Sequence, residues 1–101
     1  MEYIYSNDEE IENRIELFCT VIDSVIKALK KPKRIQIVKT IYKAGNPLTF
    51  KEIEEQTGFP TTTLHDNLEV LYIRNIITKT DDRPSKYLLT EFAKELLGIQ
   101  D

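Results

Sequence analysis

The stretch LTFKEIEEQTGFPTTTL, residues 48–64, contains the signals that decide the fold. Thr49 and Glu52 form a capping box, in which each side chain satisfies a free backbone amide at the start of a helix. Gly58 can adopt the left-handed conformation that ends such a helix. A second helix is predicted to begin around residues 60–61. The stretch therefore predicts a short capped helix, a turn and another helix, which is a helix-turn-helix.

A β-hairpin is predicted directly after this motif. The second helix is expected to run to about Arg74, with a buried stripe at helical spacing formed by Leu64, Leu68 and Leu71. Residues 76–90 then read as two strands, 76–80 and 86–89, around a turn rich in Asp, Pro and Ser. A hairpin in this position makes the motif winged.

A long amphipathic helix is predicted upstream, over residues 8–30. Its apolar residues recur at alternating spacings of four and three, the a/d pattern of a coiled-coil seam: Ile11, Ile15, Phe18, Ile22, Val25 and Leu29. A helix of this length spans about 30 Å, which a small domain covers only in part. We expect a second copy of the chain to cover the remainder. The alternative is a helix that packs wholly on its own domain.

The predicted architecture is mainly α with a small β-hairpin wing: a winged helix-turn-helix with a long N-terminal dimerisation helix. Residues 1–31 are assigned to the N-terminal helix and residues 32–101 to the winged helix-turn-helix domain. Between them, Pro32 opens a further helix that ends at Gly45. The core face of that helix is predicted to contain Ile35, Val38, Ile41 and Tyr42. Thr90 and Gly98 are expected to bound a last helix.

Composition fits one soluble domain. The chain has 101 residues, 41% of them hydrophobic, and its one cysteine excludes an intramolecular disulfide or a multi-cysteine zinc site. This fits a reducing cytosol. No apolar run is long enough to cross a bilayer, and the polar, acidic N-terminus does not resemble a signal peptide. We therefore expect a cytoplasmic protein without membrane contact.

Charge is distributed unevenly along the chain. The net charge of −3 counts against nucleic-acid binding, because phosphate is also negative. However, the acids concentrate in residues 1–16 and the bases in residues 17–51, and the distribution matters more than the sum.

Residues 33–98 resemble the winged-helix regulators of the ArsR and MarR kind. The matching stretches are Leu48–Ile53, Thr57–Leu64, Asn67–Leu71 and the hairpin end Tyr87–Thr90. The resemblance implies a dimer that binds double-stranded DNA, with the second helix of the motif in the major groove and the wing on the flanking backbone. The chain departs from it at Asp66, where a basic residue is common, and at Ala93, where Gly is frequent.

The candidate DNA contacts fall into two groups. Those expected on the recognition helix, about residues 61–74, are Thr61, Thr62, Thr63, His65 and Asp66. Those expected to anchor phosphates around it are Lys33, Arg34, Lys51, Lys79, Arg83 and Lys86.

The acidic face of the recognition helix leaves two interpretations open. A helical wheel points Thr62, Asp66 and Glu69 outward. In the first interpretation, the carboxylates of Asp66 and Glu69 accept hydrogen bonds from cytosine amino groups, while the threonines contact thymine or phosphate. In the second, this face docks on a basic protein, and the chain is an adaptor in a transcription or partition assembly.

Catalysis is not expected. Nucleophilic catalysis requires a nucleophile beside an oriented base, but the only cysteine and the only histidine, Cys19 and His65, lie on different predicted helices. The sequence has no Gly-rich phosphate loop and no metal-ligand spacing. Metal sensing by clustered Cys and His is therefore not expected either, and we predict a non-enzymatic protein without a metal or cofactor.

Overall fold

The structure, a computed structural model, describes residues 8–99 and confirms the predicted fold class. Its elements in chain order are α1 (Asp8–Leu29), α2 (Pro32–Ala44), β1 (Leu48–Thr49), α3 (Phe50–Thr57), α4 (Thr61–Ile73), β2 (Ile77–Lys79), β3 (Lys86–Leu89) and α5 (Glu91–Leu97). The ends of the two assigned regions, residues 1–7 and 100–101, lie outside the described residues.

The capping box forms as predicted and fixes the start of α3. The amide of Glu52 donates to Thr49 Oγ1 at 3.1 Å, and the amide of Thr49 donates to Glu52 Oε1 at 2.9 Å. Gly58 ends the helix in the left-handed conformation, with φ of 74°. The turn into α4 is therefore determined by local chemistry on both sides of a helix only eight residues long.

The core forms around the leucine stripe of α4. Leu64 and Leu71 are completely buried and Leu68 nearly so, among side chains of the other helices and the sheet. Those neighbours include Ile37 of α2, Ile53 of α3 and residues of the hairpin, Ile76, Ile77 and Leu89. Because its inner face is fixed in this way, α4 presents its opposite face to solvent.

The wing has one more strand than predicted. β3 pairs with β2 in an antiparallel hairpin, with Ile77 opposite Leu89 and Lys79 opposite Tyr87. It also pairs on its other side with β1, the two residues Leu48 and Thr49, so the strand order is β1-β3-β2. A strand of two residues has no periodicity that could be seen in the sequence. This extra pairing attaches the wing to the segment that leads into α3.

The predicted core face of α2 was wrong in part. Ile37, Val38 and Ile41 are buried, whereas Ile35 and Tyr42 are about half exposed. The helix is therefore rotated relative to the prediction, and the two exposed side chains lie beside Leu97 of α5 in an open apolar groove.

Only the C-terminal part of α1 packs on its own domain. Val25 and Ala28 are the buried residues of this helix, and no residue in the range 8–24 is buried. Val25 was predicted in the dimer seam, but at 3% exposure it belongs to the core of its own subunit. Ile15 and Phe18, by contrast, are 55% and 64% exposed. The helix thus presents apolar side chains where its own domain does not cover it.

The capping box gives a first prediction about stability. Thr49→Ala removes the acceptor of the Glu52 amide and should lower the free energy of unfolding by about 1 kcal/mol. Urea denaturation followed by circular dichroism measures this change. Thr62→Ala is the matched control, because Thr62 is exposed and lies outside the cap. Equal losses in the two variants would contradict the assigned cap.

Candidate nucleic-acid interface

The solvent-facing side of α4 is polar over residues 61–69 and carries most of the residues predicted to read bases, whereas Tyr72 and Ile73 at the end of the helix are large exposed side chains. Thr62, His65, Asp66 and Glu69 are exposed, and Thr63 is half-buried. The imidazole Nδ1 of His65 lies 3.7 Å from a carboxylate oxygen of Asp66. This face can both donate and accept hydrogen bonds, as a surface that contacts base edges must.

The first turn of α4 is not capped by its threonines. Pro60 is the N-cap residue, and no side chain caps the helix. The Thr61 hydroxyl instead donates to the Glu54 carboxylate of α3, which joins the two helices of the motif. Thr61 is therefore already used as a donor within the subunit. The backbone amides of the first turn have no side-chain cap, an arrangement that favours an anion such as phosphate.

Aromatic and cationic side chains connect α4 to the wing on one flank. The ammonium group of Lys79 lies 4.9 Å from the ring centroid of Tyr72 and 6.0 Å from that of Tyr87. These three residues, with His65 and Glu69, line a cleft of about 190 Å³ between α4 and the hairpin. A cation over aromatic faces contributes about 0.5–1 kcal/mol at an exposed site. The contact holds the hairpin beside the exposed face of α4.

Arg34 connects α4 to the opposite flank, where it acts differently from the prediction. Its Nε donates to Asn67 Oδ1 at 3.0 Å and its Nη1 donates to the Ala28 carbonyl at 3.2 Å. Asn67 in turn donates to the Thr63 carbonyl at 2.8 Å. Sequence analysis placed Arg34 among the exposed phosphate anchors, but it is half-buried and joins α1, α2 and α4. Neither Asn67 nor Tyr72 was predicted as part of the site.

The remaining predicted anchors are exposed and lie on other elements of the domain. Arg83 lies in the turn of the hairpin and Lys86 begins β3, so both belong to the wing. Lys51 lies in the first turn of α3. Lys33 extends over the Phe59 ring at 6.0 Å from its centroid, just before α4 begins. These cations thus belong to three different elements, α2, α3 and the wing.

The described residues offer no metal centre and no membrane span. Among residues 8–99, no three His, Cys, Asp or Glu side chains come together as metal ligands would. Cys19 is exposed on α1, on a different helix from His65. Within the same range, every helix is too short or too polar to cross a bilayer.

Comparisons with solved structures identify the fold. The homodimeric winged helix-turn-helix DNA-binding domain of Mb0332 from Mycobacterium bovis, described as a possible ArsR-family transcriptional regulator, superposes with a TM-score of 0.76 at 21% identity, covering 94% of this chain and 84% of that one. The transcriptional repressor BigR from Xylella fastidiosa superposes with a TM-score of 0.67 at 26% identity, covering 91% of this chain and 87% of that one. A MarR family protein from Bacillus stearothermophilus superposes with a TM-score of 0.61 at 13% identity, covering 91% of this chain and 71% of that one.

Two of these neighbours are described as of the ArsR or MarR kind that the sequence resembles, and the structural likeness confirms the winged helix-turn-helix fold. A scan against protein-family models finds no match, and neither does a comparison with curated proteins. The structural likeness therefore supports the fold, while the function is argued from the residues of the chain itself.

The Arg34–Asn67 contact gives a prediction that separates a structural role from a surface one. Asn67→Ala removes the acceptor of a half-buried guanidinium and should lower the free energy of unfolding by about 1–2 kcal/mol. Asn67→Asp keeps an acceptor for Arg34 and should retain more stability. Urea denaturation measures both, with Asp66→Ala, an exposed neighbour, as the control. An equal effect of Asp66→Ala and Asn67→Ala would contradict the assigned link.

Proposed function

We propose that this protein is a cytoplasmic, non-enzymatic transcriptional regulator that binds double-stranded DNA in a sequence-specific manner as a homodimer. In this proposal, α4 lies in the major groove and the wing contacts the flanking backbone. The observation that carries it is the exposed polar surface that Thr62, His65, Asp66 and Glu69 form on α4, with the wing packed beside it through Lys79 and Tyr72. The fold of the neighbours, including a homodimeric DNA-binding domain, supports the same proposal.

The different DNA contacts proposed for α4 and for the wing follow from the geometry of these two elements. A major groove about 12 Å wide admits one α-helix, and phosphates border the groove on both sides. With its leucine stripe buried, α4 can enter the groove only by the face that carries Thr62, Asp66 and Glu69. Arg83 and Lys86 then lie beside the groove, where they contact phosphate.

The two outward carboxylates define what the helix reads. A carboxylate in the major groove accepts a hydrogen bond from the amino group of cytosine, and a threonine methyl contacts the methyl group of thymine. Asp66 and Glu69 therefore favour cytosine at the positions they face, with Thr62 and Thr63 reading or anchoring nearby. Repulsion between these acids and phosphate is offset by the cations on the flanks of α4.

Dimerisation is proposed through the part of α1 that its own domain leaves uncovered. Without Val25, the predicted seam consists of Ile11, Ile15, Phe18, Ile22 and Leu29. Leu29 also lines the apolar groove that contains Ile35, Tyr42 and Leu97, so the seam continues onto α2 and α5. A second copy of the chain would cover this surface and place two recognition helices about one turn of DNA apart.

The adaptor remains the second candidate, because the exposed carboxylates of Asp66 and Glu69 and the net charge of −3 also suit a basic protein. A mobility-shift assay on random duplex DNA at low salt separates the two functions. We expect a retarded complex, since non-specific contacts with phosphate precede sequence recognition. Complete absence of a complex would favour the adaptor.

Removal of the wing cations gives a quantitative prediction. Arg83→Ala with Lys86→Ala should weaken DNA binding and reduce the slope of log K against log salt by roughly 1–2, because each lost phosphate contact contributes about 0.9. Fluorescence anisotropy across a salt series measures the slope. Lys43→Ala is the control for loss of a positive charge, since this exposed lysine lies on the outer face of α2, away from the wing and outside the lining of the apolar groove. Equal slopes for the wing variant and the native protein would exclude the wing contact.

The dimer seam gives a separate prediction. Phe18→Asp should raise the dimer dissociation constant by at least about tenfold, because two carboxylates would enter an apolar contact. Sedimentation equilibrium measures this constant. Asn13→Asp adds the same charge on the polar side of α1 and should leave the constant unchanged. A Phe18→Asp protein that dimerises like the native one would place the interface elsewhere.

A further inference from the structure

A cationic groove runs between α1 and α4, on the side of α4 away from the wing. It is about 520 Å³ in volume and has a small apolar floor formed by Ala28 and Val70. Its walls carry four cationic side chains, two hydroxyls and a single carboxylate: Lys27, Lys31, Arg34, Arg74, Thr20, Ser24 and Asp23. We name this feature the α1–α4 groove.

Most of the positive charge in the α1–α4 groove has no acidic partner. Asp23 pairs with Lys27 at 3.3 Å. Lys31, Arg34 and Arg74 form no ion pair with any Asp or Glu among residues 8–99. Cations that line one concave surface without compensation raise the local potential and attract an anion. The groove therefore has the electrostatic character of an anion site.

Arg34 is held in place before any ligand arrives. Its Nε and Nη1 are bound to Asn67 and to the Ala28 carbonyl, whereas its Nη2 donates no hydrogen bond within residues 8–99. A guanidinium fixed by two hydrogen bonds loses little conformational entropy when its remaining donors bind an oxyanion. The arrangement suits a phosphate oxygen at the mouth of the groove.

The position of the groove identifies the source of the phosphate. Asn67, Val70 and Arg74 share one flank of α4, at spacings of three and four residues, and the wing packs against the other flank through Tyr72. A helix in the major groove has a phosphate backbone on each side. The wing cations meet one backbone, and the α1–α4 groove is placed to meet the other.

We propose that the α1–α4 groove is a second phosphate-binding site, which holds the DNA backbone on the side of α4 opposite to the wing, through Lys31, Arg34 and Arg74. The proposal rests on the proposed function. At about 100° per residue, α1 presents the groove residues Thr20, Asp23 and Lys27 on the face opposite to the proposed dimer seam, so a second copy of the chain bound at the seam would leave the groove open.

The test compares the salt dependence of DNA binding among matched double variants. Lys31→Ala with Arg74→Ala should reduce the slope of log K against log salt on a short mixed-sequence duplex by roughly 1–2, as two lost phosphate contacts predict. Both side chains are exposed, so the variant should remain folded, as circular dichroism would show. Lys31→Ala alone should reduce the slope by about half as much. Lys43→Ala supplies the control for loss of charge alone and is matched to the single variant Lys31→Ala.

The outcomes separate this inference from the proposed function. If the native protein and the wing variant behave as expected but both groove variants keep the native slope, the second phosphate site is overturned while DNA binding stands. If the native protein binds no duplex at all, the proposed function itself fails. A different result would assign the groove to a small anion and overturn the inference. In that case the groove variants keep the native slope, and inorganic pyrophosphate added to the native protein changes the chemical shifts of Lys31 and Arg74.

Discussion

The burial of the leucine stripe of α4 is the constraint on which the rest of the structure depends. Leu64, Leu68 and Leu71 fill the centre of the core, and each such side chain contributes about 1.5–3 kcal/mol when it is fully buried. A rotation of α4 by even one residue position would expose one of them and bury a polar neighbour. The outward direction of Thr62, Asp66 and Glu69 is therefore determined by packing, independently of any ligand.

Two further contacts join α4 to the rest of the domain, one on each side of its exposed face. On one flank, Lys79 lies over the ring of Tyr72 and brings the hairpin to the edge of α4. On the other, Arg34 binds both Asn67 of α4 and the end of α1. The wing and the long helix are thus fixed relative to the same recognition helix. In the proposed function, binding at either flank would act on this one arrangement, which is what fixed spacing on DNA requires.

Local chemistry explains why much of the fold was predictable from sequence. The capping box at Thr49, the left-handed glycine at residue 58 and the spacing of the leucines each depend on a few neighbouring residues, and the structure contains all three. The strand β1 and the rotation of α2 depend on long-range pairing and packing, which no short pattern contains. Asn75 is similar: its left-handed backbone, with φ of 62°, ends the turn after α4 and was not anticipated.

The candidate site was predictable at the level of which residues are exposed, but less so in what each does. Thr62, His65, Asp66 and the wing cations are on the surface as expected. Arg34 is not a free anchor and Val25 is not available to a partner, because tertiary contacts engage both within the subunit. The bases of the α1–α4 groove come from three helices, and only the fold brings them together.

The measurement that tests the central claim most directly is selection of bound sequences from a randomised duplex pool. The account predicts a palindromic consensus with cytosines in each half-site, about one helical turn apart. Recovery of unenriched or non-symmetric sequences would contradict it.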